Sequence, residues 1–393
     1  MLLVHNYYQE SGGEDQVLKQ EIDLLKENGH EVITYTKHNN EIQTYNVFQK
    51  ISLFFKTTFS LKEYFVFKRV LKKISPDIVH FHNFFPLFSP SVYYACQDLK
   101  IPVIQTLHNY RLICPAATFM RDNEVCEKCL SGSLINSIKY GCYRGSKVQT
   151  IPVANMIYIN NMLKTWHSKV NYYITLTEFA QKKFIDYGLP KEKVVVKPNF
   201  LDKSSNVSCS KENTILFVGR LSKEKGVDIL IKAWKSLHDK QDYKLLIAGD
   251  GEERVKLQKL AENQNDVKFL GKIPSDSVKE LMGKSKYLVV PSRWYEGLPM
   301  TIVESYSAAT PVICSKLGSL EEIVEDNVTG FHFKVSNHKD LALILEKAIN
   351  ISSSDYQHLS RKSLEAFKNK YDKHINYKIL FNIYKKAVGE QSK

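Results

Sequence analysis

Short runs with the character of buried strands alternate with helical segments along most of this 393-residue chain. Parallel strands need a long crossover, usually a helix, so this alternation predicts an α/β fold with parallel sheets. Ligands bind such sheets beyond the carboxyl ends of the strands, which makes the loops after the strands the first candidates for function. The predicted strands are Leu2–Val4, Glu31–Thr36, Ile78–His82, Ile101–Thr106, Val170–Thr175, Val194–Val196, Thr214–Val218, Tyr243–Ala248, Val267–Ile273 and Tyr287–Val290.

The length allows two domains, each with its own core, and a polar linker from Lys203 to Asn213 suggests a boundary near residue 200. With 43% hydrophobic and 25% charged residues, the chain is neither disordered nor fibrous. It has no apolar run of about 18 residues, and its first residues turn polar too early for a signal peptide. We therefore expect a cytoplasmic protein.

The stretch from Tyr287 to Val312 combines a buried strand, a loop and a helix that begins near Thr301. A glycine-containing loop before a helix N-terminus favours an anion, because the first N–H groups of the helix have no internal partner. Glu296 in the loop and Glu304 in the helix frame this position, and carboxylates can hold the neighbouring hydroxyls of sugars. Taken alone, two solvated surface glutamates would be the more common explanation.

Two cations occupy a similar position in the second half of the chain. Arg220 and Lys225 follow the strand Thr214–Val218 and precede a helix that begins at Val227, with Gly219 and Gly226 beside them. Two cations and glycines at a strand-to-helix junction can converge on a diphosphate. A solvated charge run is the alternative, and we favour the diphosphate site.

Pro291-Ser292, Glu296-Gly297 with Pro299, Glu304 and Pro311-Val312 resemble the signature of a large family of retaining nucleotide-sugar glycosyltransferases. This is the GT-B family of glycosyltransferase family 4 type, whose two acids have seven residues between them. The resemblance implies two Rossmann-like domains with parallel sheets that face each other across a cleft. It covers nearly the whole chain, although Ala309 stands where the family usually has glycine.

The resemblance implies an acceptor-side domain at residues 1–200 and a nucleotide-sugar-binding domain at 201–374. The C-terminal helix, residues 375–393, is expected to cross back and pack on the first domain. His108 corresponds to a histidine that contacts the transferred sugar, and with Arg220, Lys225 and Glu296 it is expected to be catalytic. The residues expected to bind the donor are Gly12, Gly13, Gly249, Gly251, Ile273, Gly297, Leu298, Pro299, Met300, Thr301 and Glu304.

The implied reaction moves a hexose from a nucleoside diphosphate sugar, UDP being favoured over GDP, to a glycan or lipid-linked acceptor in cell-surface polysaccharide synthesis. The chain contains no Asp-x-Asp pair, so we expect catalysis without a metal or other cofactor. A nucleotide-sugar epimerase of the same fold is the alternative, and it would need no acceptor. The hypothesis of a nucleic-acid-binding protein rests on the net charge of +13 alone. The sequence has no nucleic-acid recognition motif, so no nucleic-acid partner is expected.

Basic and aromatic residues are interleaved between Lys50 and Lys73, where seven lysines and arginines occur with the single acid Glu63. Such a segment can lie on an anionic membrane, with rings in the interface and cations at the lipid phosphates. This would place the protein on the inner face of the plasma membrane. A helix pair whose aromatic side chains form core is an equally good explanation.

Four of the seven cysteines, Cys114, Cys126, Cys129 and Cys142, fall within 29 residues. Clustered thiols in a cytoplasmic protein indicate metal or redox chemistry more often than structural disulfides. The two-residue spacing of Cys126 and Cys129 lets both sulfurs reach one ion, and we favour a structural zinc site with four thiolates. Unligated thiols and a transient Cys126–Cys129 disulfide are the alternatives.

Overall fold

A computed structural model describes residues 1–9, 12–202 and 210–391 of the chain. The chain forms two compact units. The N-terminal unit comprises Met1–Phe119, Cys126–Pro198 and Asn376–Lys393, and the C-terminal unit comprises Met120–Val125 and Asn199–Ile375. Among the described residues, no helix combines the length and the apolar character needed to span a bilayer.

The first half of the chain contains β1 (Leu2–Tyr7), α1 (Gly13–Glu27), β2 (Ile33–His38), α2 (Val47–Lys56), α3 (Leu61–Ile74), β3 (Val79–Asn83), α4 (Ser91–Asp98), β4 (Val103–Leu107), β5 (Met120–Arg121), β6 (Glu124–Val125), α5 (Ile135–Tyr140), α6 (Lys147–Met162), α7 (Thr165–Ser168), β7 (Tyr172–Thr175), α8 (Glu178–Asp186) and β8 (Val194–Val196). Six of these strands form one parallel sheet in the order β2-β1-β3-β4-β7-β8. The strands β5 and β6 form a separate antiparallel ribbon.

The second half contains β9 (Glu212–Val218), α9 (Val227–Lys235), β10 (Lys244–Ala248), α10 (Arg254–Leu260), β11 (Val267–Gly271), α11 (Ser275–Lys284), β12 (Ser285–Val290), α12 (Met300–Ser307), β13 (Val312–Ser315), α13 (Ser319–Ile323), β14 (Gly330–Phe333), α14 (His338–Ile349), α15 (Ser353–Ala366) and α16 (Lys373–Gln391). Its six strands also form a parallel sheet, in the order β11-β10-β9-β12-β13-β14.

The central strands of the N-terminal sheet are buried along their whole length, as parallel sheets covered by helices on both faces require. All five residues of β3 and all five of β4 are buried. In the C-terminal unit, Trp234 of α9 is buried in a core with strand residues such as Ile215 and Leu245. Runs of branched and aromatic residues therefore become strands here because both of their faces find apolar partners.

The helix α16 packs on the N-terminal sheet, as expected for this fold class. Its buried residues Leu380, Ile383, Tyr384 and Ala387 follow the spacing of one helix face and share a core with Leu3 of β1. From Asn376 onward, the last helix of the chain therefore belongs to the N-terminal unit.

Every predicted strand is present, with its ends shifted by up to three residues. The linker prediction is partly wrong, because Glu212 and Asn213 belong to β9. Lys211 is also ordered, since its ammonium donates to the carbonyl oxygen of Ala308 at 3.0 Å and to Thr310 Oγ1 at 2.6 Å. Residues 203–209 of the predicted linker lie outside the described residues.

Candidate functional site

The chain order of the C-terminal sheet reverses between β9 and β12. From β9 the chain adds β10 and β11 on one side, and from β12 it adds β13 and β14 on the other. Loops that leave neighbouring strands in opposite directions open a crevice at the carboxyl ends, where open parallel sheets bind ligands. Residues 219–226 follow β9 and residues 291–299 follow β12, so the segments selected from the sequence meet at this switch point.

The loop after β9 carries both predicted cations. Arg220 is exposed, and Lys225, which ends a short 3₁₀ turn from Lys223, is half-buried. The next residue, Gly226, has a φ of +69°, and a Cβ on it would lie 2.0 Å from the carbonyl oxygen of Pro291. Glycine is therefore needed for the loop after β9 to pack against the loop after β12.

Glu296 is held at this junction rather than solvated. Its side chain is 8% exposed, and its Oε1 accepts hydrogen bonds from Lys225 Nζ at 2.7 Å and Ser292 Oγ at 2.6 Å. Lys225 Nζ also lies 5.3 Å from the centre of the Trp294 ring, within range of a cation–π interaction. The structure thus brings Lys225 and Glu296 together, although 71 positions separate them in the sequence.

Glu304 lies in α12, half-buried, and differs sharply from Glu296. No hydrogen bond from the described residues reaches its carboxylate. Burial raises its pKa to about 7, while the positive charge of Lys279 acts in the opposite direction. A half-buried carboxylate without a partner can accept hydrogen bonds from two neighbouring hydroxyl groups of a ligand.

The segment between the two glutamates ends in an uncapped helix start. Leu298 is 6% exposed and anchors the loop, and Gly297 lies beside it, half-buried. Pro299 precedes the first helical residues Met300 and Thr301, and α12 has no side-chain cap among the described residues. Its first N–H groups and its dipole therefore favour an anion at this position.

The turn after β10 packs against the turn after β9. Gly249 has a φ of +141°, and a Cβ on it would lie 1.8 Å from the carbonyl oxygen of Gly219, so the two backbones touch here. Gly251 follows in the same turn, and Ile273 is half-buried between β11 and α11. Packing explains why Gly249 is a glycine, and contact of Gly249, Gly251 and Ile273 with a donor stays a prediction.

Sequence reasoning missed the side chains that join the two loops. Arg293 Nη2 pairs with Asp228 Oδ2 at 2.8 Å, and the Arg293 N–H donates to the Glu224 carbonyl oxygen at 2.8 Å. These bonds fix the turn that carries Lys225. Ser292 was noted only as part of the signature. Neither periodicity nor local spacing could reveal the contacts of Arg293, because Arg293 follows β12 and its partners follow β9.

The N-terminal sheet has its own switch point, between β1 and β3. Gly12 and Gly13 follow β1, and Gly13 begins α1. The Gly12 N–H donates to Asp15 Oδ2 at 3.0 Å, and Asp15 Oδ1 lies 2.9 Å from His5 Nε2. Burial and the charge of Asp15 raise the pKa of Glu14 to about 8. Asp15 therefore joins the glycine loop to His5 of β1.

His108 follows β4 and joins a buried chain of polar groups. Its Nε2 lies 3.0 Å from His82 Nδ1, and His82 Nε2 lies 3.0 Å from Glu21 Oε1. Lys197 Nζ is 3.2 Å from the second oxygen of Glu21. His80 adds hydrogen bonds of 2.7 Å to the hydroxyl groups of Thr106 and Tyr384. The sequence indicated His108 only, and the chain behind it was not predicted.

Glu21, His80 and His82 present ligand atoms within 4.8 Å of one another, which is compatible with a metal ion by spacing alone. Their lone pairs and protons already serve the hydrogen bonds of this buried chain. The ammonium of Lys197 also supplies the positive charge that Glu21 needs. A cation would have to displace this arrangement.

The structure brings the four clustered cysteines near one another. Cys114 is buried, the other three are half-buried, and none of the six described cysteines forms a disulfide. Burial and the neighbouring thiols of Cys114, Cys142 and Cys126 together raise the pKa of Cys129 to about 11. Among the described residues, however, the groups of three ligand atoms within 4.8 Å of one another contain no thiol. The zinc site therefore stays a prediction.

Two units, each built on a six-stranded parallel sheet with a switch point, match the GT-B fold class. Models of two protein families match this chain: Glycosyltransferase Family 4 over residues 11–205 and Glycosyl transferases group 1 over residues 200–368. The chain belongs to the GT-B glycosyltransferases of family 4 type, which confirms the family suggested by the motif of two glutamates.

Three curated relatives match over most of their length. An uncharacterized glycosyltransferase of Methanocaldococcus jannaschii is 27% identical over 89% of this chain and 88% of its own. The amylovoran biosynthesis glycosyltransferase AmsD of Erwinia amylovora is 28% identical over 83% of this chain and 84% of its own. The alpha-monoglucosyldiacylglycerol synthase of Streptococcus pneumoniae is 25% identical over 95% and 84%.

Solved structures show the same fold. A glycosyltransferase from Rickettsia africae superposes with a TM-score of 0.71 at 17% identity, covering 98% of both chains. Anabaena HepE in complex with UDP-glucose gives a TM-score of 0.65 at 18% identity, covering 100% of this chain and 99% of its own. At these identities the likeness establishes the fold, and the substrates need their own argument.

Proposed function

We propose that this glycosyltransferase moves a hexose from a nucleoside diphosphate sugar to a hydroxyl group of a glycan or lipid-linked acceptor, with retention of the anomeric configuration. The observation that carries the proposal is the switch point of the C-terminal sheet. Two cations and the carboxylate of Glu296 lie on the two loops that meet there, and the uncapped start of α12 and the carboxylate of Glu304 follow directly. This combination suits a ligand with a diphosphate between two polyhydroxyl groups.

Each side chain has a role in this proposal. Arg220 and Lys225 neutralise the charge that grows on the leaving diphosphate, and such preorganised cations are usually the largest catalytic contribution. Glu304 accepts hydrogen bonds from the ribose diol, and Glu296 from hydroxyl groups of the hexose. In the protein without ligand, Lys225 is held by Glu296, which fixes its position before a diphosphate arrives.

UDP is the favoured nucleotide because HepE, a protein of the same fold, has been solved with UDP-glucose. The absence of an Asp-x-Asp pair from the sequence supports transfer without a bridging metal. The names of two relatives support the acceptor class, since one acts in amylovoran biosynthesis and the other is a glucosyldiacylglycerol synthase. A polysaccharide and a lipid are therefore the two acceptor types to test.

A panel of UDP- and GDP-sugars, scored first by thermal shift, tests the donor, because a ligand that binds only the folded state raises its stability. The best donor is then incubated with lipid and glycan acceptors, and the anomeric configuration of the product is read by NMR. We expect turnover only with an acceptor present and a product of unchanged configuration. Conversion of the donor sugar without an acceptor would instead support an epimerase, and an inverted product would refute retention.

We also propose that α2 and α3 dock on an anionic membrane. The alternative, in which the aromatic side chains form core, fits Phe67 of α3, which is buried. It does not fit α2, which has no buried residue. Phe48 and Phe55 of α2 are 83% and 68% exposed, and Leu61 and Phe65 of α3 are 67% and 56% exposed. Exposed rings beside lysines and arginines match a surface of apolar tails and anionic headgroups.

Not every basic residue of this segment is available to lipid. Lys68 Nζ donates to Asp98 Oδ2 and to the Tyr64 hydroxyl oxygen, both at 2.7 Å. Arg69 and Lys72, in contrast, are exposed and follow Leu61 and Phe65 on one face of α3. Arg69 and Lys72 are therefore the better residues with which to test electrostatic binding.

Flotation with vesicles containing phosphatidylglycerol, compared with pure phosphatidylcholine, tests this docking. We expect binding at low salt only to the anionic vesicles, and loss of binding for Phe48→Ser with Phe55→Ser and for Arg69→Ser with Lys72→Ser. Val255→Ser is the matched control, since Val255 is 80% exposed in the C-terminal unit. Unchanged flotation of both double variants would show that α2 and α3 do not dock on the membrane.

We further propose that Cys114, Cys126, Cys129 and Cys142 hold a structural zinc ion. Four thiolates are a complete tetrahedral ligand set, and a divalent cation would remove the mutual repulsion of their charges. The segment around them contains little regular structure, with the two-residue strands β5 and β6 and the six-residue helix α5. Protein purified without added metal should contain one zinc per chain. A much lower content, with all four thiols reactive, would refute the site.

A further inference from the structure

Three side chains form a continuous hydrogen-bonded chain from a helix to the loop after β4. Glu21 of α1 contacts His82 of β3, and His82 contacts His108, each through a nitrogen-to-acceptor distance of 3.0 Å. Glu21 is 1% exposed and His82 is 2% exposed, whereas His108 is half-buried. The inner two groups therefore exchange no hydrogen bonds with solvent, and the chain determines where each proton resides.

Glu21 is the first group of this hydrogen-bonded chain, and its carboxylate accepts hydrogen bonds. Burial alone would raise its pKa, but the charge of Lys197 and the contacts with His82 and His80 outweigh burial and hold the pKa well below its ordinary value. An ionised carboxylate can only accept hydrogen bonds. His82 must therefore carry a proton on Nε2, the nitrogen that faces Glu21.

The position of the proton on His82 in turn determines the position of the proton on His108. Burial lowers the pKa of His82 to about 4, although Glu21 opposes the shift, so at neutral pH the ring has one proton. With that proton on Nε2, His82 Nδ1 is an acceptor, and the ring nitrogen 3.0 Å away must be a donor. His108 therefore carries its proton on Nε2.

The second ring nitrogen of His108 is Nδ1. Burial, followed by the nearby His82 and His5, holds the pKa of His108 well below its ordinary value, with Glu21 acting in the opposite direction and Lys197 in the same one. The ring is thus neutral, and its Nδ1 has a lone pair. No hydrogen bond joins Nδ1 to any of the described residues.

We propose that Glu21 and His82 are positioning residues that fix His108 as the neutral tautomer protonated on Nε2, so that its Nδ1 accepts a hydrogen bond from a hydroxyl group of the sugar substrate. The identity of the hydroxyl-bearing partner rests on the proposed glycosyl transfer, whereas the tautomer does not. A lone pair in this position attracts a hydroxyl donor and repels anionic oxygen. The arrangement therefore selects neutral sugars over those that present a carboxylate to His108.

The tautomer can be read directly in the unliganded enzyme. Protein labelled with ¹³C and ¹⁵N in histidine is recorded by NMR from pH 5.5 to 8, and the signals of His108 are assigned with His108→Asn among the 12 histidines. We expect ring shifts of the Nε2-protonated neutral form throughout this range. A proton on Nδ1, an imidazolium at pH 7, or a metal bound at Glu21, His80 and His82 would overturn the proposal.

Two variants of His82 separate positioning from general support. Asparagine retains an acceptor close to the position of Nδ1, so His82→Asn should keep the Nε2 tautomer of His108 and most of the turnover. His82→Leu lacks the acceptor and should lose the single tautomer, with kcat falling about tenfold and KM changing less. Equal losses in both variants with an unchanged tautomer would show that His82 only supports the fold. Absence of any sugar transfer would refute the proposed function and leave the tautomer result standing.

Discussion

Each unit of the protein has a lysine paired with a carboxylate near its switch point, and these two pairs differ in their exposure to solvent. Glu21 and Lys197 of the N-terminal unit are 1% and 2% exposed. In the C-terminal unit, Glu296 is 8% exposed, but Lys225 is 24% exposed. The N-terminal lysine is therefore locked on its partner, whereas the C-terminal lysine is accessible to a ligand.

This difference separates two uses of the same pair of residues. A fully buried ammonium cannot leave its carboxylate without stranding a charge at low dielectric, so it serves to fix structure and protonation. A half-exposed ammonium can turn toward a diphosphate, and its carboxylate holds it ready until then. Substitutions in the two pairs should therefore affect different properties, with stability changing in the first and turnover in the second.

The largest effect is expected for Lys197→Ala, which leaves the buried Glu21 without its cation. Breaking such a pair costs about 3–5 kcal/mol in the free energy of unfolding. Urea denaturation followed by circular dichroism measures this loss, with the exposed Lys182→Ala as control. Replacing both partners, as Lys197→Met with Glu21→Gln, should recover much of the stability. A loss in Lys197→Ala no larger than in the control would break the comparison.

The second effect concerns catalysis. Arg220→Ala and Lys225→Ala should each lower kcat on the order of a hundredfold, if the charge on the diphosphate is greatest in the transition state. Arg220 is exposed, so its substitution should leave the urea transition in place. Lys235→Ala, on α9, is the matched control because, within the described part of the chain, its ammonium bonds only the carbonyl oxygen of Leu260 at the end of α10. A change confined to KM would show that these cations bind the donor without assisting its cleavage.

The sequence could indicate which loops matter because strand and helix periodicities are local. The strand ends near Val218 and Val290 can be recognised because a run of apolar residues stops there. The loops after parallel strands meet at one edge of the sheet. The partners across that edge could not be predicted. Lys225 reaches Glu296 through a register of neighbouring strands, and no spacing within the sequence encodes that register.

The hydrogen-bonded groups behind His108 could not be predicted from the sequence, for the same reason. Glu21, His82 and Lys197 come from α1, β3 and the segment after β8, and each alone is an ordinary residue of its element. In contrast, one local departure did carry information. Ala309, where the family usually has glycine, has a φ of +52°, a left-handed conformation that costs an alanine about 1–2 kcal/mol. The usual glycine there is therefore explained by backbone geometry.

A third, smaller effect distinguishes the two glutamates of the C-terminal unit. Glu304→Ala should weaken nucleotide binding by about 1–3 kcal/mol, because the ribose hydroxyl groups lose their acceptor. Isothermal titration with UDP measures the change, and Glu262→Ala, an exposed glutamate of the same unit, is the control. An unchanged affinity would remove Glu304 from the nucleotide site. It would also leave Glu296 as the better candidate for the ribose.

The smallest effect is a pH dependence of stability that Glu304 should cause in the protein without ligand. Because burial raises its pKa from the ordinary 4.5 to about 7, the folded state binds more protons than the unfolded state between these values. The free energy of unfolding therefore falls as the pH rises from 4.5 through 7, and the full penalty applies above that range. Glu304→Gln removes the charge, so it should stabilise the protein at pH 8 by about 1–2 kcal/mol and have little effect at pH 4.

Urea denaturation of Glu304→Gln and the wild type at both pH values measures this difference, and comparing the two pH values cancels any packing effect of the amide. Adding a nucleotide sugar should reverse the preference at pH 8, since the ionised carboxylate is the form that accepts both ribose hydroxyl groups. A nucleotide sugar is the right ligand here because UDP itself has a terminal phosphate that titrates near pH 6. A stability difference independent of pH would mean that Glu304 is solvated in the free protein. The contrast between a partnered Glu296 and an unpartnered Glu304 would then disappear.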